Sequence, residues 1–392
     1  MNGLQRHLGV AAMTALVVGE VIAIGIFLTP GTMAHSVGSP FWLLIVWLLM
    51  GAMALSGALC YGALAARFPE AGGGYVYLRE AYGPGIAFLY GWKCLLVMDP
   101  GITALLAAAG ASYVGYAFGI SGVALKAVAV GSVLIFAAVS ILGIRLGARL
   151  MQGLMILKVG ALALGVIAVT AIYIVTSAVF LYLVPLEQVT SGETFAAQAG
   201  EALFGPAGGR VFAIIVILAV LGSLFALLMA LPRVYYAMAR DGVFFKSVAR
   251  LSPRFGTPAR AVAIQATLAS VLVLLGTFQQ ILNYFIFITV VFLALTVAGL
   301  LVLRGREGAE AYRIPGYPVT PFLFLFLVAV LLLLFAGHDP KQAAMGVGVV
   351  ALGIPVYLIA FRGKLTRNRN SADDLDSHHP TARGGREAAL GD

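Results

Sequence analysis

The sequence predicts an all-α polytopic membrane protein of about ten crossings, and three observations predict it. Hydrophobic residues make up 61% of the 392-residue chain and charged residues only 10%, where a soluble domain carries about 25% charged residues. Ten apolar runs fall at about 9–34, 41–66, 85–117, 122–143, 150–184, 211–235, 260–279, 282–303, 319–337 and 343–361. Each approaches or exceeds the roughly 20 residues that a helix needs to cross a bilayer. The basic residues then fall into alternate connections. With the N-terminus inside, 20 of the 25 lysines and arginines lie in cytoplasmic segments, Arg67, Arg79, Arg145, Arg149, Arg240 and Arg304 among them. That bias fixes the topology, with both termini in the cytoplasm.

The net charge of +9 has the same origin, so a nucleic-acid partner is not expected. Cys60 and Cys94 both lie in apolar runs and read as free thiols packed as small hydrophobes. No cysteine–histidine spacing suggests a metal, and no cofactor is expected. The N-terminus lacks a cleavable signal pattern, so the first run is expected to stay as a span.

The elements follow in order. Residues 14–31, TALVVGEVIAIGIFLTPG, are written badly for a continuous helix: Gly19, Gly25 and Pro30–Gly31 interrupt them, and Glu20 places a carboxylate at membrane depth. Glycine weakens helix interiors, and broken backbone is tolerated in a bilayer only where it faces protein or a water-filled cavity. An interrupted apolar segment near the midplane points to a transporter's binding site. A kinked lipid-facing helix with a glycine packing face is the competing reading.

The segment 67–80 gathers arginines, glutamates, Tyr75 and Tyr77 around three glycines. It reads as an intracellular gate bonded to neighbouring loops, or as a tight interfacial turn. Asp99 sits in KCLLVMDPG, six residues after Lys93, with Pro100–Gly101 expected to kink the third span. Ionisable groups at this depth are functional candidates by default. Glu20 or Asp99 would carry a coupling proton; a structural ion pair, or placement in a wet vestibule, is the plainer alternative for each. Residues 150–184 are too long for one crossing: as one helix they would extend about 52 Å against a hydrocarbon core of about 30 Å. Charge parity nevertheless asks for a single net crossing there. The external segment 186–209 carries Glu187, Glu193 and Glu201 and reads as a short amphipathic helix lying on the membrane surface. The basic loop 233–260 suits anionic lipid. Residues 1–363 form the membrane domain, and the polar residues 364–392 read as a disordered cytoplasmic tail.

Four stretches carry a family resemblance: GEVIAIGIF followed by LTPG, FPEAGGGYVYLREAYGP at 68–84, GSLFALLMALPRVYYAMARDGVFF at 222–245, and SPRFGTPARA at 252–261. In this order they resemble the amino acid permeases of the amino acid–polyamine–organocation superfamily, over nearly all of residues 5–363. The resemblance implies a LeuT-like bundle of two five-helix repeats of inverted topology, with the first helix of each repeat unwound at the midplane. Ala23, Ile24, Gly25 and Ile26 match the family's broken segment. Its bare amides would receive a substrate carboxylate. Alanine and isoleucine replace the usual first glycine and the serine, which mildly favours an apolar substrate. Lys158 matches a fifth-span lysine that resembles a built-in cation, and Ser223, in a span like the family's eighth, would face it. A snorkelling lysine and a serine used in helix packing are the plainer alternatives.

One departure stands out. Residues 150–167 resemble the family's fifth span and 169–189 its seventh, so the sixth, which is the second broken helix, is missing near Ile167–Thr170. The function implied is secondary active transport of amino acids across the cytoplasmic membrane by alternating access, as antiport or proton symport. A polyamine carrier and a non-transporting sensor or inactive shortened permease are the alternatives. No nucleophile–base pair or paired carboxylates suggest an enzyme.

Overall fold

The computed structural model describes residues 33, 37–68, 72–142, 165–184, 194–248, 250–253, 255–308, 312, 314–338 and 340–361. Among them every regular element is helical. Seven helices are long and apolar enough to cross a membrane, and two shorter apolar ones accompany them. Nine of the ten expected runs thus contain helix. The first run and the tail at 364–392 lie outside the described residues.

Helix α1 is Pro40–Arg67, and α2 is the short Gly74–Tyr82. The third span runs through α3 (Pro84–Lys93), a π turn at Cys94–Met98 and α4 (Asp99–Phe118). Then come α5 (Val123–Leu142), α6 (Gly165–Leu183), α7 (Phe195–Ala230) and α8 (Pro232–Arg240). The last five are α9 (Ala259–Leu275), α10 (Phe278–Glu307), α11 (Val319–His338), α12 (Pro340–Ala351) and α13 (Gly353–Ala360). A capping box opens α10. Thr277 Oγ1 accepts from the Gln280 amide, and the Gln280 side chain accepts from the Thr277 amide. This satisfies two N–H groups that the first turn leaves orphaned.

The connections sort to two faces. On one, Arg67 pairs with Glu307 at 3.1 Å, Arg79 pairs with Asp241 at 2.7 Å, and Thr257 donates to the Ile141 carbonyl at 2.7 Å. On the other, Tyr116 donates to Glu201, and Lys126 donates to the Leu274 carbonyl at 2.7 Å. Among the described residues, the first face holds Arg67, Arg79, Arg304 and Arg306, which sequence assigned to a single side. The chain lies there at Ile141 and has reached the opposite face by Phe180, which stacks edge-on against Phe195 at 5.7 Å. The stretch between them, 143–164, lies outside the described residues, and with it most of the overlong run 150–184.

These positions also fix direction. Helix α1 runs towards the basic face and packs on α6, which runs away from it; α4 packs on α7, and α5 on α9, each pair antiparallel. Elements that pair across the molecule with reversed sense are what an inverted repeat produces.

The external helix corrects one expectation. Phe195, Ala196, Ala197 and Ala199 are buried within the main core rather than laid on lipid. Small side chains let this turn of helix nest over α4 and α6. The chain then breaks at Gly205, whose φ of +70° suits glycine, before Pro206 starts the span proper.

Candidate functional site

The third span is the centre of the molecule. In its most apolar window 78% of residues are buried, against 22% for α1 and for α5. An all-round apolar helix reports burial rather than a lipid-facing stripe, yet this one carries Lys93 and Asp99, which are 2% and 1% exposed.

Proline shapes the local backbone. Pro100 has no N–H to give the Leu96 carbonyl four residues back, and its ring crowds that turn. The helix widens to a π turn, in which the Asp99 amide reaches Cys94 O. The kink expected at Pro100–Gly101 therefore takes the form of a widened turn one step earlier. The Leu96 carbonyl accepts from the Tyr284 hydroxyl of α10 at 3.3 Å. Gly101 allows that helix to come close, since a Cβ there would stand 2.7 Å from the Phe285 Cβ.

Around the turn lies a group of polar side chains drawn from several helices. Asp99 Oδ2 accepts from the Tyr235 hydroxyl of α8, while Oδ1 has no hydrogen-bond partner among the described residues. Lys93 makes no ion pair with Asp99 within 4 Å. Its Nζ donates to Met98 Sδ at 3.1 Å and lies 4.8 Å from the Tyr90 ring centre and 5.4 Å from that of Phe292. This is a cation held by ring faces rather than by a carboxylate. One turn further on, Thr103 donates to the Asp99 carbonyl at 2.6 Å and accepts from Gln265 Nε2 at 2.9 Å. Gln265 Oε1 is buried without a partner among the described residues. A carboxyl in this setting, with one bare oxygen and a cation nearby, can exchange a proton or hold a cationic group.

The structure places two of the sequence-derived site residues, Asp99 and Ser223, and does not bring them together. Ser223 lies on α7 with its Oγ buried and without a partner among the described residues. Val220 on the same helix meets Gly110, so antiparallel packing sets Ser223 about 12 Å from Asp99 along the helix axis. Glu20, Ala23, Ile24, Gly25, Ile26 and Lys158 lie outside the described residues. Tyr235, Thr103 and Gln265 were missed by sequence reasoning. Gln265, the one amide side chain between Arg260 and Thr277, was the signal available. Cys60 and Cys94 are buried free thiols, as expected.

At the basic face a second group closes over the span. Arg79 and the Tyr75 hydroxyl both bond Asp241 Oδ2, at 2.7 and 2.9 Å, and Arg306 donates to the Ala81 carbonyl at 3.2 Å. Burial, opposed by its bond to Arg79, keeps the Tyr75 phenol above its ordinary range, so it stays a donor. The segment 67–80 does bond to neighbouring loops.

The sequence model of the amino acid permease family matches this chain over residues 8–164 and 161–361. The chain belongs to that family. Among relatives of this permease is the serine/threonine exchanger SteT of Bacillus subtilis, 25% identical over 91% of this chain and 97% of its own length. The human b(0,+)-type amino acid transporter 1 is 25% identical over 85% of the permease and 83% of itself. The human cystine/glutamate transporter is 23% identical over 91% and 85%. The alignment with SteT runs for 429 positions, more than the permease has residues. Dozens of its positions therefore have no counterpart here.

Proposed function

We propose that this permease carries amino acids across the cytoplasmic membrane by alternating access, with both termini in the cytoplasm. The antiparallel pairing of α1 with α6, α4 with α7 and α5 with α9 carries the reading. Two halves of opposite sense around one site can open it to either side in turn. The family supplies the substrate class, and the names of the exchanger and the cystine/glutamate relative favour exchange of one amino acid for another. In this reading the amides of Ala23–Ile26 receive the substrate carboxylate, and Glu20, Lys158 and Ser223 serve the cation side of the site. Purified protein in liposomes preloaded with one amino acid is expected to exchange it for a labelled one from a panel of neutral amino acids. Correctly inserted protein that neither binds nor exchanges any member would overturn the reading.

A second reading has its own support. The family match falls into two stretches that meet at residues 161–164, and the alignment with SteT exceeds the chain. Both agree with loss of the sixth span near Ile167–Thr170. A permease so shortened would bind a substrate without moving it. Binding of a labelled amino acid with no exchange in liposomes selects this reading over the first.

A further inference from the structure

We propose that Asp99 is a proton-binding carboxyl which, with Tyr235 and Lys93, forms a protonation site inside the third span. Three features of the geometry point to it. The carboxyl is 1% exposed and its Oδ1 has no hydrogen-bond partner among the described residues, so one oxygen stands ready to bond a proton. The other oxygen is held by the Tyr235 hydroxyl from a different helix, which fixes the group while a proton comes and goes. The lysine that would match the ionised form is on the same span, parked over Tyr90 and Phe292 instead of on the carboxylate. A permanent ion pair would have brought Nζ and Oδ1 into contact, because each buried charge is costly alone.

The two states balance simply. A proton arriving from water bonds Oδ1, giving a neutral acid, and Lys93 remains on the rings. When the proton leaves, the carboxylate attracts the ammonium from the weaker hold of the ring faces. Among the described residues, the titratable groups that face Asp99 are Lys93, Cys94 and Tyr90 of its own span, Tyr235 of α8 and, behind Tyr90, Tyr61 of α1. Among the described residues, helix α9 brings the uncharged Gln265 to Thr103, and α10 the hydroxyl of Tyr284 to the Leu96 carbonyl.

Infrared difference spectra of the full chain in lipid nanodiscs, taken between about pH 5 and about pH 9, test the site directly. A protonated-carboxyl band should appear on acidification and be absent from Asp99→Asn. In Tyr235→Phe its midpoint should rise by about one pH unit, a tenfold gain in proton affinity, because the lost phenol favoured the ionised oxygen. Lys93→Met should move it the same way. A featureless difference between wild type and Asp99→Asn overturns the proposal, as does a midpoint that neither Tyr235→Phe nor Lys93→Met moves. Only the transport arm rests on the proposed function. An inward proton gradient should speed uptake of a labelled neutral amino acid, and Asp99→Asn should abolish that acceleration. Absence of any exchange by wild type counts against carriage, whereas the spectra still decide for or against Asp99.

Discussion

The permease contains two clusters of the same composition, one cation, one aspartate and one tyrosine, in opposite environments. At the basic face Arg79 and Tyr75 converge on a single oxygen of Asp241, whose side chain is 40% exposed. In the third span Tyr235 takes one oxygen of Asp99, but Lys93 stays on Tyr90 and Phe292. Arginine presents a planar fork that holds a carboxylate and a neighbour together, whereas lysine is a compact charge on a flexible stem. Water screens the first cluster, so its ion pair is cheap to form and cheap to break. The second is buried, with Lys93 2% and Asp99 1% exposed, so the state of its carboxyl decides where the lysine rests. The same three side-chain types make a latch in one place and a site for a mobile charge in the other.

The largest expected effect breaks the buried cluster. Asp99→Leu leaves the Lys93 ammonium without a counter-ion and should lower stability by about 3 kcal/mol at alkaline pH. The loss should shrink on acidification, because a protonated Asp99 had already ceased to balance the lysine. Pairing the change with Lys93→Met should recover most of the loss, since two matched apolar side chains replace two separated charges. Melting of the purified variants in detergent measures each corner of the cycle. A double variant as unstable as Asp99→Leu would show that the two charges do not answer one another.

The wet cluster should respond more weakly and in a different observable. Asp241→Ala removes the shared acceptor of Arg79 and Tyr75, worth about 1 kcal/mol for a partly exposed pair. Cys60 lies in the core cluster beneath that latch, with Tyr75, Tyr77, Val243 and Phe244. It and Cys94 are the only cysteines of the chain. If α2 opens more often once the latch is gone, a permeant maleimide should label the thiols about fivefold faster. Unchanged labelling with a lowered melting temperature would make the cluster a structural bond and not a gate.

The two clusters were unequally legible in the sequence, for a physical reason. Asp99 and Lys93 are conspicuous because charge is rare in an apolar run and they belong to one span. The length of the apolar runs and the loop charge likewise set out the spans and sorted Arg67, Arg79 and Arg304 to one face. Tyr235 lies 136 residues from Asp99, and nothing local says which helix will deliver a hydroxyl to a given carboxyl. Tertiary packing alone makes that choice. The external helix was misjudged for a related reason. Phe195–Ala199 with nearby acids has the pattern of a surface helix, and the pattern does not tell whether its apolar side meets lipid or protein. Pro100 announced a distortion, but only the structure shows that the freed Leu96 carbonyl goes to Tyr284.

The smallest expected effect separates a latch from ion pairs that merely decorate the same face. Arg67 and Glu307 join the ends of α1 and α10 at 3.1 Å, but their side chains are 50% and 33% exposed. Pairs of this kind hold two long side chains in one geometry for little net gain and are screened by salt. Glu307→Gln should therefore leave melting unchanged at physiological salt and should not alter maleimide labelling of Cys60. Asp241 differs because it gathers two donors from α2, one of them a buried phenol. If Glu307→Gln accelerated labelling as much as Asp241→Ala, the basic face would be held by its summed charge, and the Arg79–Tyr75–Asp241 geometry would lose its special role.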